Sequence, residues 1–407
     1  MEIYKSDRLN HVDYAIRGPL AQEATKMELD GHEIIRLNIG NPGMFGFNTP
    51  DEIIEDMILN LRNAQGYSES KGIFFARKAI MQYYQLQNIF VSPEDIFIGN
   101  GVSELIIIAM QALLNKGDEM LIPSPDYPLW TAAVNLAEAN AVHYLCDEQS
   151  DWMPDIEDIK KKITPKTKGL VIINPNNPTG AVYSKDVLLE LIKIAHQHHL
   201  VIFSDEIYSR LIMDEYKHCS IAALDNELVI VTLDGLSKSH LIAGFRVGWL
   251  IISGKTNQCK DFIDGINTLA SMRLCSNVPA QYIVQTALGG IQRGNSLLQP
   301  KGRIYEQREI VYNALAEMDG LSCVKPKAAF YAFPKIDTQK YNISDDVKFA
   351  LDLLHKEKVL IIPGSGFNWS LPDHFRIVTL ANKDILEAAL AKIKSFLENY
   401  DQNKNRC

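Results

Sequence analysis

Between residues 96 and 252 the chain repeats one pattern. A short, nearly continuous apolar run stops abruptly at polar or turn-forming residues. Ile96-Phe97-Ile98 runs into Gly99-Asn100-Gly101, and Glu119–Ile122 into Pro123-Ser124-Pro125. Gly169–Ile173 ends at Asn174-Pro175, and Leu200–Phe203 at Ser204-Asp205-Glu206. Leu228–Leu233 ends at Asp234-Gly235, and Val247–Ile252 at Ser253-Gly254; Ala141–Leu145 is a further run. A strand with one wet face alternates apolar and polar residues, and these do not. They read as strands buried on both faces, as in a mostly parallel sheet covered by helices. Helical spacing over Ser103–Leu114 and Val187–His198 supplies such covers. In sheets of this kind ligands gather beyond the carboxyl ends of the strands. The unusual polar residues of this chain sit there.

The pattern changes after about residue 290. Ser322–Pro334, Val359–Pro363 and Phe375–Leu380 read as strands, with helices over Asp345–Glu357 and Lys383–Tyr400. The expected organisation is α/β: a large domain with a mostly parallel sheet (51–295), a smaller α+β domain (296–407) and an N-terminal segment (1–50) packing on the small domain. A length of 407 residues accommodates this. The net charge of −9 gives no general attraction for nucleic acid or an anionic membrane, so an anionic ligand must be held by a few local cations. The six cysteines are widely spaced without a CxxC pair, which suits neither a zinc site nor a disulfide framework. The N-terminal residues lack a secretory apolar core, and the longest apolar stretch, within Glu104–Leu114, is too short to span a bilayer. These features read as a cytoplasmic protein.

Lys238 follows the run Leu228–Leu233 in a Gly/Ser turn, with Arg246 eight residues later. Most lysines in turns are solvated. A lysine partly desolvated at the end of a central strand can instead present a neutral amine and form a Schiff base. An amine that binds an aldehyde beside an arginine that binds an anion suggests one ligand carrying both groups, pyridoxal phosphate. "GNGVSELI" (99–106) is a strand-to-helix turn whose Val102 and Ser103 N–H groups, with the Ser103 hydroxyl, suit a phosphate. Ser237 is a further donor. Asp205 could be an ordinary helix N-cap, or the acid that keeps a pyridine nitrogen protonated. Tyr208 is within reach of the same pocket. Asn177, in the loop "NPNNPTG", could bond a ring hydroxyl, and Tyr127 could stack on a ring or simply pack. Arg376, inside the apolar pattern "HFRIVTL", must pair with an internal carboxylate or await a substrate one.

In this order, from Gly40 to Arg376, these residues resemble the aspartate-aminotransferase superfamily of fold-type I pyridoxal-phosphate enzymes. The resemblance covers almost the whole chain. It implies that Lys238 attaches the cofactor and shuttles protons, that Asp205 pairs with the pyridine nitrogen, and that Asn177 and Tyr208 bond the ring hydroxyl. Val102, Ser103, Ser237 and Arg246 would cradle the phosphate, and Tyr127 would stack on the ring. Gly40, Asn177 and Arg376 would grip the substrate carboxylate. Tyr67 and Asn277 would reach the neighbouring subunit of a homodimer. Gly235 departs from the pattern, since many relatives carry a serine there, and Arg273 falls one position from the arginine of dicarboxylate specialists. The stretches "LNIGNPGMFGF", "AQGYSESKG", "VIINPNNPTGAVYSK" and "LASMRLCSNVPAQ" are similar to bacterial glutamate–pyruvate (alanine) aminotransferases. That likeness implies ping-pong transamination of amino acids and 2-oxo acids, with Tyr14 and Arg17 near the substrate. Other enzymes on this scaffold (branched-chain, aromatic or aspartate aminotransferases, carbon–sulfur β-lyases) share the same cofactor residues. A non-catalytic sensor domain is the remote alternative.

Overall fold

The computed structural model describes residues 2–12 and 18–404. Its centre is an eight-stranded sheet. The strands are β1 (Ile96–Asn100), β2 (Glu119–Ser124), β3 (Asn140–Asp147), β4 (Met153–Pro154), β5 (Thr167–Ile173), β6 (Val201–Asp205), β7 (Ile230–Gly235) and β8 (Val247–Ser253). Their spatial order is β1-β8-β7-β6-β5-β2-β3-β4. Strands β7, β6, β5, β2 and β3 pair in parallel. β8 runs antiparallel to both neighbours, and β4 antiparallel to β3.

All seven apolar runs of this region are strands, and side-chain alternation explains why they are continuous. Ile96, Ile98, Leu170, Ile172, Ile202 and Ile230 enter one core. Their neighbours Phe97, Val171, Ile173, Phe203, Val231 and Leu233 enter another on the opposite face. With both faces dry, polar residues inside these strands are few, Thr232 in β7 being one; β3 is the exception, partly exposed along Asn140–His143. Helix Val102–Leu113 covers one face; helix Lys185–His198 covers the other and is capped by Ser184, whose hydroxyl accepts from the Val187 N–H at 3.3 Å.

The C-terminal region departs from expectation in two places. Ser322–Pro334 is not one strand. Leu321–Ser322 pairs with Lys335–Ile336, and Tyr331–Ala332 pairs with Phe375–Val378. Pro326, which has no N–H, and Ala329, at a left-handed φ of 61°, lie between the pieces. Val359–Pro363 is divided between two ladders. Val359–Leu360 pairs with Ile35–Arg36, and Ile362–Pro363 with Phe375 and Arg376. Helix Pro19–Leu29 buries Leu20, Ala24 and Met27 in the core that holds Val311, Leu353 and Ile393. The N-terminal segment is thus both paired and packed with the C-terminal elements.

Candidate active site

Ile173, Asp205 and Leu233 are register neighbours at the carboxyl ends of β5, β6 and β7. The loop carrying Asn177, the turn carrying Tyr208 and the turn carrying Lys238 therefore emerge side by side. They open on a cavity of about 680 Å³, which Asp205 and Ser237 also line. Val102, Ser103, Tyr127 and Arg246 line its second side, and Gly40 and Arg376 close the third. Eleven residues singled out in the sequence thus meet in one place.

Lys238 is half-buried, and its Nζ donates to the Gly40 carbonyl at 2.7 Å. Burial, reinforced by the Arg376 and Arg246 guanidinium groups, lowers its pKa to about 8. A neutral amine is therefore accessible near neutrality, as imine chemistry requires. Asp205 is buried and is not a helix cap; a turn follows it. Its carboxylate accepts from Trp130 Nε1 at 3.1 Å and from the Ile207 N–H at 3.3 Å, both neutral donors. Burial raises its pKa to about 6 against those hydrogen bonds. A carboxylate held this way favours a cation beside it, such as a protonated ring nitrogen.

The opposite end suits a phosphate ester. Helix Val102–Leu113 begins at Gly101 without a side-chain cap, leaving its first N–H groups to face the cavity with the helix dipole behind them. The Arg246 guanidinium is held in place by the carbonyls of Asn100 and Ala243, each at 3.0 Å. Gly101 has φ +82°, and a Cβ there would lie 2.3 Å from Arg246 Nη2. With ψ 165° this is a conformation almost confined to glycine, so Gly101→Ala costs about 1–3 kcal/mol of backbone strain and displaces the arginine. We expect pyridoxal phosphate affinity, read by absorbance titration, to fall about tenfold or more. Unchanged affinity would show that Arg246 does not serve the phosphate. Gly235 is explained by packing: a Cβ there would meet the Val247 carbonyl at 2.7 Å. A side chain there requires the neighbouring Val247–Gly248 backbone to shift.

At the third side Arg376 is 2% exposed, within a strand and in register with Ile362. Its guanidinium carbon lies 4.4 Å from the Tyr331 ring and 4.6 Å from the Phe367 ring. It donates to Asn177 Oδ1 at 2.9 Å and to the Asn38 carbonyl. Tyr208 Oη bonds Tyr331 Oη at 2.8 Å, and burial raises the Tyr208 pKa. Sequence reasoning missed Tyr331 and Trp130, whose aromatic surroundings read as ordinary core.

Other candidates lie elsewhere. Tyr67 is 84% exposed on the surface of the chain. Asn277 caps the helix Val278–Tyr282, its Oδ1 accepting from the Ala280 N–H, and donates to the Phe245 carbonyl. Arg273 is not among the residues that line the cavity. It pairs with Glu104 at 3.2 Å and donates to the Ile98 carbonyl. Tyr14 and Arg17 lie outside the described residues.

A half-buried lysine of lowered pKa, a buried acid and an uncapped helix start meet at the carboxyl ends of a doubly covered sheet, as in fold-type I pyridoxal-phosphate proteins. Residues 32–393 match the family described as aminotransferase class I and II, and the chain belongs to that family. It is 57% identical over 401 residues to the glutamate-pyruvate aminotransferase AlaA of Escherichia coli (strain K12), covering 98% of this chain and 99% of that one. It is 50% identical over 400 residues to an alanine aminotransferase of Mycobacterium tuberculosis (strain ATCC 25618 / H37Rv), covering 98% and 93%. Among solved structures, an aminotransferase from Escherichia coli superposes with a TM-score of 0.97 at 56% identity, covering 98% and 99%. An alanine aminotransferase from Pyrococcus furiosus gives 0.92 at 36%, covering 97% and 100%. The family depends on pyridoxal phosphate. The residues here fit that cofactor: Asp205 has only neutral donors, and the turn at Gly101 admits no side chain.

Proposed function

We propose that this enzyme transfers the amino group of L-alanine to 2-oxoglutarate, giving pyruvate and L-glutamate in two ping-pong half-reactions. One observation carries the site assignment: the desolvated Lys238 amine and the buried Asp205 carboxylate face the same cavity. Pyridoxal phosphate, when bound, supplies a ring that accepts the electron pair of the Cα–H bond and carries the amino group between half-reactions. Lys238 Nζ would be its point of attachment and, as a free amine, the base positioned to take the Cα proton. Asp205 holds the ring nitrogen protonated. Val102, Ser103, Ser237 and Arg246 hold the phosphate, Tyr127 covers the ring face, and Tyr208 and Asn177 serve the ring hydroxyl. Arg376, Asn177 and Gly40 orient the substrate carboxylate. Tyr14 and Arg17 are assigned to the substrate on resemblance alone.

The enzyme works as a homodimer. Exposed Ile58, Leu59, Tyr67, Met272 and Leu274 support that reading, because large apolar side chains left bare on one chain mark association surfaces. In the dimer Tyr67 and Asn277 of each subunit serve the other's cavity. Among the described residues no helix is long and apolar enough to cross a membrane, and we assign the protein to the cytoplasm.

Borohydride reduction of the holoenzyme followed by peptide mapping should label Lys238. Alanine and glutamate, added singly, should each bleach the cofactor's absorbance, whereas phenylalanine and cystathionine should not. Labelling of another lysine would remove Lys238 from its role. A response to phenylalanine or cystathionine in preference to alanine would reassign the substrate.

A further inference from the structure

Behind the Lys238 turn lies an ion pair, Asp234 buried and Arg210 partly so, that the chemistry above does not use. Asp234, the penultimate residue of β7, is 2% exposed. Its Oδ1 accepts from the Gly235 N–H at 2.6 Å, and its Oδ2 lies 3.2 Å from Arg210 Nη2. The same guanidinium reaches across the turn, where Nη1 donates to Ser239 Oγ at 3.1 Å. Its Nε donates to Tyr83 Oη at 3.0 Å, and it lies 4.4 Å from the centre of the Tyr83 ring.

The network has a direction. His240 Nε2 is 2.8 Å from the Ala287 carbonyl, which can only accept, so Nε2 carries the proton. Burial keeps this imidazole neutral, its pKa lowered to about 4. His240 Nδ1 is therefore an acceptor, and Ser239 Oγ, 2.9 Å away, donates to it. Ser239 thus accepts from Arg210 and donates to His240, fixing both its rotamer and the peptide that follows Lys238. Arg210 itself belongs to the segment carrying Asp205 and Tyr208. One planar fork therefore links the residues on both sides of the lysine to the strand end that holds the acid.

We infer that Arg210, acting through Asp234 and Ser239, is a positioning residue that fixes the Lys238 turn relative to Asp205. The inference rests on Lys238 being the Schiff-base lysine. A lysine ammonium at position 210 can neutralise Asp234 but cannot hold both sides of the turn, because it lacks the guanidinium fork. Small displacements of a reacting group carry large rate penalties.

The test compares holoenzymes bearing Ser239→Ala, Ser239→Thr and Arg210→Lys. Ser239→Ala keeps the ion pair and removes the hydroxyl, and with it both the Arg210 tether and the bond to His240 Nδ1. It should lower the melting temperature modestly, but at a temperature where the variant is fully folded it should lower kcat about tenfold with KM for alanine within about twofold, and shift the pH titration of the cofactor's absorbance. Arg210→Lys should do the same. Ser239→Thr keeps the hydroxyl, has a cavity of about 330 Å³ beside it for the added methyl, and should restore both readouts. If Ser239→Ala and Arg210→Lys both keep kcat within twofold and the titration unmoved, while borohydride labels Lys238 in each, the inference is wrong and the function stands. If borohydride labels another lysine in the wild type, the assignment of Lys238 falls and the inference with it.

Discussion

Lys238→Ala should bind pyridoxal phosphate yet turn over at least about 10⁴-fold more slowly than wild type. In the proposed reaction the side chain has two tasks, covalent attachment and proton removal at Cα, and among the described residues no other lysine lines the cavity. Single-turnover measurement with alanine checks this, and retention of more than about 1% of the wild-type rate would contradict it. The same substitution should change stability in the opposite direction. In the cofactor-free protein the Lys238 pKa is about 8, against 10.5 for an ordinary lysine. Below pH 8 both folded and unfolded chains hold the proton, so folding bears the whole penalty of enclosing the ammonium. Between pH 8 and 10.5 only the unfolded chain keeps it, and the penalty fades as pH rises. The cofactor-free variant should therefore melt above wild type at pH 7, and the gap should narrow toward pH 10.

Removing Arg376 should have the second-largest effect. Truncating one partner of a buried, hydrogen-bonded charge pair costs about 2–5 kcal/mol. Arg376→Ala should thus lower kcat/KM for alanine by about 100-fold or more. Arg376→Lys should recover little, because the slot between the rings of Tyr331 and Phe367 is cut for a flat group. Ethylamine, which lacks the carboxylate, should be a poor donor for wild type and variant alike. If alanine kinetics changed less than threefold, the carboxylate would have to be held elsewhere.

Six strands of the central sheet were legible in the sequence because they are almost wholly buried on both faces, so apolar continuity and strand end nearly coincide; β3 showed only a short apolar run, and the two-residue β4 gave no signal. Lys238, Asp205 and Arg246 were legible because each is a charge where the pattern demands none. The sequence could not place Tyr331. It sits in a two-residue strand whose partner, Val378, is 47 residues away, and an aromatic residue among aromatic residues reads as core. The break at Ala329 was equally hidden, since alanine rarely adopts its positive φ and carries no turn signal. Arg273 shows the converse. Its position near the family's dicarboxylate arginine drew attention, but the nearby carboxylate of Glu104 claims it. Only three-dimensional proximity distinguishes those outcomes.

The pairing of Ile35–Arg36 with Val359–Leu360 is continued by the Val378 N–H, which donates to the Leu37 carbonyl at 2.9 Å. Gly40 and Arg376 are therefore mounted on one rigid frame, whereas Lys238 and Asp205 are mounted on another, the central sheet. The two frames meet where Arg376 donates to Asn177 Oδ1 and Lys238 Nζ to the Gly40 carbonyl, so a shift of one frame against the other would break both contacts at once.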